Sequence, residues 1–432
     1  MQGLLSFDKA PPFAAPLRFF LTAPFFGLLA GLLIVWEGPS LLVSRWTPST
    51  LAATHLLTIG FMLQTMLGAL IQILPVVAGV NLANPLRVAR WLHAGLSSGT
   101  LLLVAGFLFG QPDALASAAI ILGLTLASFL VVIIPPLLRA PSSSPTIRGL
   151  KLAMLGLAGT VVLGVVLALA LAWGWPLPLL ALADLHAAWG LGAWGGVLLA
   201  AIAYVVVPMF QLTPGYQARL SWWFPVLIFA CIGFWSVSLV FELPPLGQLA
   251  QVVASLLGLV FCVITLRLQF KRRRARADAT YRYWQLGLSC TIIALFSGLT
   301  ATFWPVVANS SEWPLLFGIL LIAGGFVSFI VGMLYKIVPF LAWLHLQNLG
   351  QSKVPAPAMN KILSEKDMNR QMVCHVLAIA LALGAVFLPE WLARLAGLAF
   401  VVANVFLIWN LAGAVSRYRQ HALLIAQKLA AL

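Results

Sequence analysis

Long apolar stretches separated by short polar breaks dominate the chain. Each stretch is about 20 residues long or longer, which is the length a helix needs to cross the hydrocarbon core of a bilayer. None has the alternating ten-residue pattern of an outer-membrane barrel. We therefore predict an all-α membrane protein with twelve transmembrane helices, at residues 17–37, 51–79, 91–110, 114–138, 149–173, 183–210, 222–241, 245–267, 283–306, 313–344, 371–388 and 392–416.

The composition agrees with this pattern. Of the 432 residues, 62% are hydrophobic and only 8% are charged. Soluble domains carry about 25% charged residues, so this chain cannot cover a water-facing surface. Soluble enzyme folds are excluded, and the lipid bilayer is the first expected partner.

The distribution of basic residues predicts the orientation. If the N-terminus is cytoplasmic, only Arg45 and Arg394 of the 25 Lys and Arg fall on the outer side. An excess of Lys and Arg is typical of cytoplasmic loops. We therefore predict a multi-pass protein of a bacterial-type inner membrane with both termini cytoplasmic. The net charge of +15 is scattered between apolar spans and does not indicate nucleic-acid binding. The basic run 271–274 and the polar loop 347–370 are expected to contact anionic lipid.

Several common kinds of site are not indicated. The four cysteines stand singly, without the paired spacing of thiolate metal sites. Phosphate-binding, HExxH, CxxCH and Ser/His/Asp motifs are absent from the sequence. The N-terminal region lacks the short apolar core and cleavage site of a signal peptide, so the first helix is expected to direct insertion itself.

A proline repeat predicts the internal organisation. Pro75, Pro208 and Pro339 lie in spans 2, 6 and 10, separated by 133 and 131 residues. Small residues stand fifteen and seven positions before each proline, where they would let another helix approach closely. They are Gly60 and Gly68, Ala193 and Ala201, and Gly324 and Gly332.

The period of this repeat is four spans. We predict one domain, 1–416, built from three four-helix units with pseudo-threefold symmetry at about 17–138, 149–267 and 283–416. Residues 417–432 alternate basic residues with leucines and are predicted to form a cytoplasmic amphipathic tail.

Two histidines are the strongest candidates for chemistry. His55 opens span 2 and His186 opens span 6, so both are expected in the outer third of the membrane. Buried polar groups are costly there, which favours a metal, a partner or a water-filled cavity. Asp184 precedes His186 by two residues and could orient its imidazole or contribute to a metal site.

A second set of polar residues suggests a different use. Gln64 and Gln72 share one face of span 2, Tyr204 and Tyr335 each precede a repeat proline by four residues, and Lys336 follows Tyr335. An internal polar path along these five side chains would suit a cofactor-free permease or channel. For Lys336, the favoured interpretation is a side chain reaching toward the membrane surface.

The architecture resembles subunit I of the haem-copper oxidases, which also has twelve helices in three units with histidines in spans 2 and 6. The segment Pro16-Leu17-Arg18-Phe19-Phe20, followed by His55 at the start of span 2, is also similar to the NnrS family of haem- and copper-containing membrane proteins associated with nitric oxide stress. The resemblance implies that His55 ligates haem b and that His186 holds the opposite side of the haem or a copper ion.

The chain departs from the oxidase pattern in three places. Span 10 has no histidine before His345, span 7 opens with Trp222-Trp223-Phe224 instead of paired histidines, and the NnrS His-x-His-Glu motif is reduced to Thr54-His55. We therefore expect redox, oxygen or nitric oxide chemistry or metal handling, but not a complete terminal oxidase. A periplasmic redox partner or other subunits of a membrane complex could accompany it. The alternatives are the permease and a scaffold subunit that binds its partner through the 347–370 loop.

Overall fold

The structure is a computed structural model that describes residues 10–273 and 276–431. Lys9, Arg274 and Leu432, which contributed to the predicted charge pattern and tail, lie outside the described residues. Within the described part, all regular elements are helices, and twelve of them are long and apolar enough to cross a membrane. This confirms the predicted number of spans. They are α1 (Ala14–Val43), α2 (Pro48–Ala78), α3 (Pro85–Phe109), α4 (Pro112–Arg139), α5 (Pro145–Trp173), α6 (Leu179–Gln211), α7 (Ala218–Val240), α8 (Pro244–Phe270), α9 (Ala279–Phe303), α10 (Glu312–Leu349), α11 (Glu365–Phe387) and α12 (Pro389–Ala430).

Local sequence explains where the helices begin and end. Six of the twelve start with proline in their first turn, where its missing N–H costs nothing. The side chains of Ser144, Asp278 and Ser364 accept hydrogen bonds from the first turns of α5, α9 and α11. Gly79 ends α2 and Gly174 ends α5 with positive φ angles of 66° and 67°, a conformation that favours glycine.

Three helices lie inside the bundle. In their most apolar windows, α2, α6 and α10 have 78%, 61% and 72% of residues buried, whereas the other nine have 22% to 50%. The nine peripheral helices follow one another around these three, with α3 on α4, α4 on α5, α7 on α8, α8 on α9 and α11 on α12. Extensive contact between α12 and α1 closes the ring. Any site held by the inner helices is therefore surrounded by protein.

The inner helices share an uncommon backbone feature. Each contains a π-helical segment, Leu56–Leu63 in α2, Ala188–Gly196 in α6 and Ile319–Val327 in α10. Each segment precedes the repeat proline of its helix, and the α-helix continues through Pro75, Pro208 and Pro339. π-Helical turns are rare and frequently occur at functional sites.

The small residues of the repeat allow close helix contacts. A β-carbon at Gly68 would lie 2.7 Å from Cβ of Phe19 on α1, and one at Gly332 would lie 2.6 Å from Cβ of Tyr283 on α9. Ala201 on α6 makes a similar contact with α5, because a β-carbon at Gly149 would lie 2.6 Å from Cβ of Ala201. Each inner helix therefore packs tightly on the helix that precedes it, as the small-residue spacing predicts.

The last helix is longer than a membrane span requires. α12 runs for 42 residues without a break, so residues 417–430 of the predicted tail continue the same helix. Along this extension Leu423 and Leu424 are exposed while Ile425 is buried, which is an amphipathic arrangement. Arg417 anchors its start, because Nε donates a 2.6 Å hydrogen bond to the carbonyl of Ile362.

Candidate functional site

His55 is held at the start of the π-helical segment of α2. Its Nδ1 lies 2.8 Å from the carbonyl oxygen of Leu51, one turn earlier. A carbonyl can only accept a hydrogen bond, so Nδ1 carries the proton and Nε2 keeps its lone pair. The phenyl ring of Phe107 on α3 packs beside the imidazole at a centroid distance of 5.4 Å.

His186 has a corresponding arrangement on α6. Its Nδ1 lies 3.1 Å from the carbonyl oxygen of Thr160 on α5, so its Nε2 also has a free lone pair. The glycine one turn further along α5, Gly164, leaves room for the ring. In both histidines, Nε2 is therefore the ring nitrogen with a free lone pair.

The two imidazoles face one another across the boundary between the first and second predicted units. Their ring centroids are 6.5 Å apart and their planes are inclined by only 19°. In the described part of the chain, no protein group forms a hydrogen bond with Nε2 of either histidine. An imidazole fixed through Nδ1 with Nε2 available is the usual state of a metal-ligating histidine.

A large cavity surrounds this pair. Its volume is about 1330 Å³, and both histidines line it. Most of the wall is apolar, with Met62, Leu122, Val165 and Trp194 among the lining residues. Ligand pockets typically measure about 300–1,000 Å³, so a molecule of cofactor size fits within this space.

An ion pair lies near the histidines, where the connection between α1 and α2 meets α6. Arg45, in the connection between α1 and α2, contacts Asp184 of α6 at 2.6 Å, and both side chains line the cavity. The Arg45 guanidinium also lies 4.2 Å from the ring centroid of Trp46. Asp184 is thus engaged with Arg45, and the orienting contact predicted from it to His186 is made by Thr160 instead.

The donor set is limited to the two imidazoles. Among the described residues, no group of three or more His, Cys, Asp or Glu side chains could hold a metal ion. The site therefore offers two nitrogen ligands in an apolar cavity, not the three or four protein ligands that isolated zinc or copper ions usually take.

The five residues of the predicted polar path are not joined to one another by hydrogen bonds in the described structure. Gln64 donates from Nε2 to Ser97 of α3 at 3.0 Å, and its Oε1 is buried without a partner. Gln72, eight residues further along α2, is also buried. The Tyr204 hydroxyl is also buried without a partner. Its ring packs on that of Tyr216, in the α6–α7 connection, whose phenol has its pKa raised by burial.

The other two members of that path have separate partners in the third predicted unit. Lys336 Nζ lies 3.3 Å from Oδ2 of Asp278, the residue that caps α9. Tyr335 donates its hydroxyl proton to Gln371 of α11 over 3.1 Å. These contacts tie α10 to its neighbours, and they do not extend toward the other three residues.

Sequence reasoning missed the network around Gln371. Its Oε1 accepts hydrogen bonds from both Tyr283 and Tyr335, and Asn410 donates to the Tyr335 hydroxyl at 2.9 Å. All four side chains are almost completely buried. The available signal was a glutamine and an asparagine inside apolar spans, where an unpaired amide is costly.

Fold and site together define an all-helical, multi-pass membrane protein with a half-buried pair of histidines in a large apolar cavity. No protein-family model matches the chain, and no curated protein is significantly similar to it. Any more specific function has to be argued from the site itself.

Proposed function

We propose that the protein binds one haem between α2 and α6, which His55 and His186 would hold, and that it carries electrons through this haem. The facing pair of imidazoles is the observation on which the proposal rests. Metal–imidazole bonds are about 2.0–2.1 Å. The 6.5 Å between the ring centroids is close to the separation that two imidazoles would have if both held one metal.

Haem is favoured over a copper ion by the donor set and the cavity. A haem takes four of its ligands from the porphyrin and requires only axial ligands from the protein. Two histidines meet that need, whereas they leave a copper ion short of ligands. The apolar volume beside the rings suits a flat, largely apolar molecule. A role for Asp184 as a metal ligand has less support, because Arg45 engages its carboxylate.

The backbone supports a scaffold of three related units. The π-helical segments occur in the second helix of each predicted unit, before the repeat proline. In each unit this helix packs closely on the first, and the fourth helix contacts the first helix of the next unit. We infer pseudo-threefold symmetry and a distant relationship to haem-copper oxidase subunit I and NnrS.

The protein groups have definable roles in this proposal. The carbonyls of Leu51 and Thr160 hold the two imidazoles through Nδ1 and make each Nε2 a better ligand. The apolar residues of the cavity wall would pack against a bound haem. When bound, haem supplies one-electron oxidation and reduction. Because two histidines would hold the haem, the site favours electron transfer over binding of oxygen or nitric oxide.

The proposed setting is a bacterial-type inner membrane with both termini cytoplasmic. The charge distribution then puts His55 and His186 near the periplasmic side, where a periplasmic redox protein could exchange electrons with the haem.

Optical spectroscopy of the purified protein tests the proposal. We expect a Soret band that shifts on reduction with dithionite and does not change when carbon monoxide is added. His55→Ala and His186→Ala should each lower the haem content by at least about tenfold, because each variant would keep only one of the two protein ligands. His345→Ala is the matched control, since this histidine packs between Phe13 and Tyr418 away from the cavity.

Two results would count against the proposal. A protein without a Soret band after expression with added haem would favour a cofactor-free permease or scaffold. Full haem content in both His55→Ala and His186→Ala would show that haem binds elsewhere.

A further inference from the structure

A second cluster of ionisable groups lies far from the haem site, at the opposite end of the first predicted unit. Arg18 on α1 and Arg90 and His93 on α3 share this region. Arg18 interacts electrostatically with both Arg90 and His93. Its members are all basic, so the cluster brings like charges together.

The hydrogen bonds made by the protein leave this cluster incompletely satisfied. Nε of Arg18 is buried and has no hydrogen-bond partner. Nε of Arg90 donates to the carbonyl of Leu86, and Nε2 of His93 pairs with the Thr22 hydroxyl at 2.8 Å. Neither arginine forms an ion pair within the described ranges.

In the part of the chain that the structure describes, no carboxylate forms an ion pair with these groups. The acidic residues of α1 and α4 are Glu37 and Asp113, and both lie at the other membrane boundary. A buried guanidinium N–H without an acceptor is costly, and like charges in a medium of low dielectric constant repel each other. An anion from outside the chain would remove both penalties.

The depth of the cluster indicates which anion. Arg18 lies four residues into α1 and Arg90 five residues into α3, which puts both about 6–8 Å inside the helix ends. Arginines at this level reach the phosphate layer of the bilayer. The guanidinium matches phosphate oxygens with paired hydrogen bonds.

We propose that Arg18, Arg90 and His93 form a binding site for the headgroup phosphate of an anionic phospholipid, in the groove between α1 and α3. The lipid phosphate accepts hydrogen bonds from the Arg18 and Arg90 guanidinium groups, while its acyl chains lie along the apolar surface of the two helices. This site is independent of the proposed haem.

Native mass spectrometry of the delipidated full-length protein, incubated with phosphatidylglycerol, tests the site. We expect the wild-type protein to retain one tightly bound phosphatidylglycerol and Arg18→Gln/Arg90→Gln to bind it at least about tenfold more weakly, having lost its charge-assisted hydrogen bonds. Arg87→Gln, which removes an exposed charge from the same helix, should bind like the wild type. Arg18→Lys keeps the charge and should retain most of the binding, which protects the test against a folding defect in the double variant.

Two competing ligands separate the remaining explanations. Phosphatidylcholine should bind more weakly than phosphatidylglycerol if the headgroup charge is recognised. Inorganic phosphate should displace the lipid poorly, and efficient displacement would identify a free-phosphate site and overturn the assignment to a lipid. Equal retention of phosphatidylglycerol by the wild type and by Arg18→Gln/Arg90→Gln would also overturn it.

Discussion

Gly164 on α5 faces the ring of His186 so closely that a β-carbon at residue 164 would lie 2.9 Å from Cε1 of the imidazole. The neighbouring carbonyl of Thr160 holds Nδ1 of the same ring. One turn of α5 therefore fixes His186 in two ways. The carbonyl of Thr160 accepts its hydrogen bond, and Gly164 has no side chain that would displace the ring. The orientation of a candidate ligand depends on a helix that contributes no ligand.

This contact leads to a first prediction. Gly164→Ala should displace the His186 imidazole and lower haem affinity by about tenfold, the usual size of effects on the surroundings of a metal ligand. Titration of the purified apoprotein with haem, followed at the Soret band, measures this affinity. Gly233→Ala is the control, because a β-carbon there meets nothing within 4 Å and should leave the affinity unchanged. Equal affinities for the two variants would remove the positioning role of Gly164.

The ion pair at the cavity gives a second prediction. Arg45 and Asp184 are 38% and 39% exposed, so their pair contributes at most about 1 kcal/mol to the free energy of unfolding. Arg45→Gln should therefore change stability little. It should nevertheless speed haem loss several-fold, because it detaches the α1–α2 connection from α6 beside the histidines. Transfer of haem to excess apomyoglobin measures that rate.

Two further variants define what the ion pair does. Arg394→Gln removes the other basic residue predicted on the outer side and should lose haem at the wild-type rate. The exchanged pair Arg45→Asp/Asp184→Arg should recover slow haem loss if the link between the two segments is what matters. If Arg45→Gln lost haem at the wild-type rate, the ion pair between Arg45 and Asp184 would not be a barrier to haem loss.

The sequence was sufficient to predict the twelve spans and to single out His55 and His186 as candidates. Hydrophobic length determines the number of helices, and a histidine inside an apolar span is costly enough to draw attention. The small residues before the repeat prolines also indicated close packing, which Gly68 and Gly332 illustrate. These signals are local, since each depends on a single helix.

The relationship between helices could not be predicted in the same way. His55 lies 20 residues before Pro75 and His186 lies 22 residues before Pro208, and at 3.6 residues per turn this difference of two residues predicts different helix faces. The π-helical segments after both histidines change the helical phase, so counting at 3.6 residues per turn does not give their relative direction. The partner of Asp184 was missed for a related reason, because Arg45 reaches it from a different unit.

Membrane topology provides a third prediction. The distribution of basic residues predicts that both termini are cytoplasmic and that the α1–α2 connection is periplasmic. In a bacterial host, green fluorescent protein fused to the C-terminus should fluoresce, and alkaline phosphatase inserted after Ser44 should be active. Phosphatase inserted after Gln351, in the α10–α11 connection, is the matched control and should be inactive. The reverse pattern of activities would overturn the orientation and the outer location of the histidines.

The network around Gln371 gives the last prediction, and it concerns stability instead of the cofactor. Gln371 on α11 accepts hydrogen bonds from Tyr283 of α9 and Tyr335 of α10, and its Nε2 donates to the carbonyl of Ala403 on α12 at 3.2 Å. One amide therefore connects four helices. Because each bond in such a setting contributes about 0.6 kcal/mol or more, we expect Gln371→Leu to lower the free energy of unfolding by about 2 kcal/mol.

Unfolding in mixed micelles with increasing sodium dodecyl sulfate measures this loss. Gln111→Leu, at an exposed position between α3 and α4, should be neutral by comparison. The double variant Gln371→Leu/Tyr283→Phe should regain part of the stability, since it also removes the Tyr283 hydroxyl that the single change leaves unpaired, whereas the Tyr335 hydroxyl keeps Asn410 as a partner. If the double variant were less stable than Gln371→Leu by the full cost of the tyrosine change, the Tyr283 hydroxyl would have another partner and the amide would not be the link between these helices.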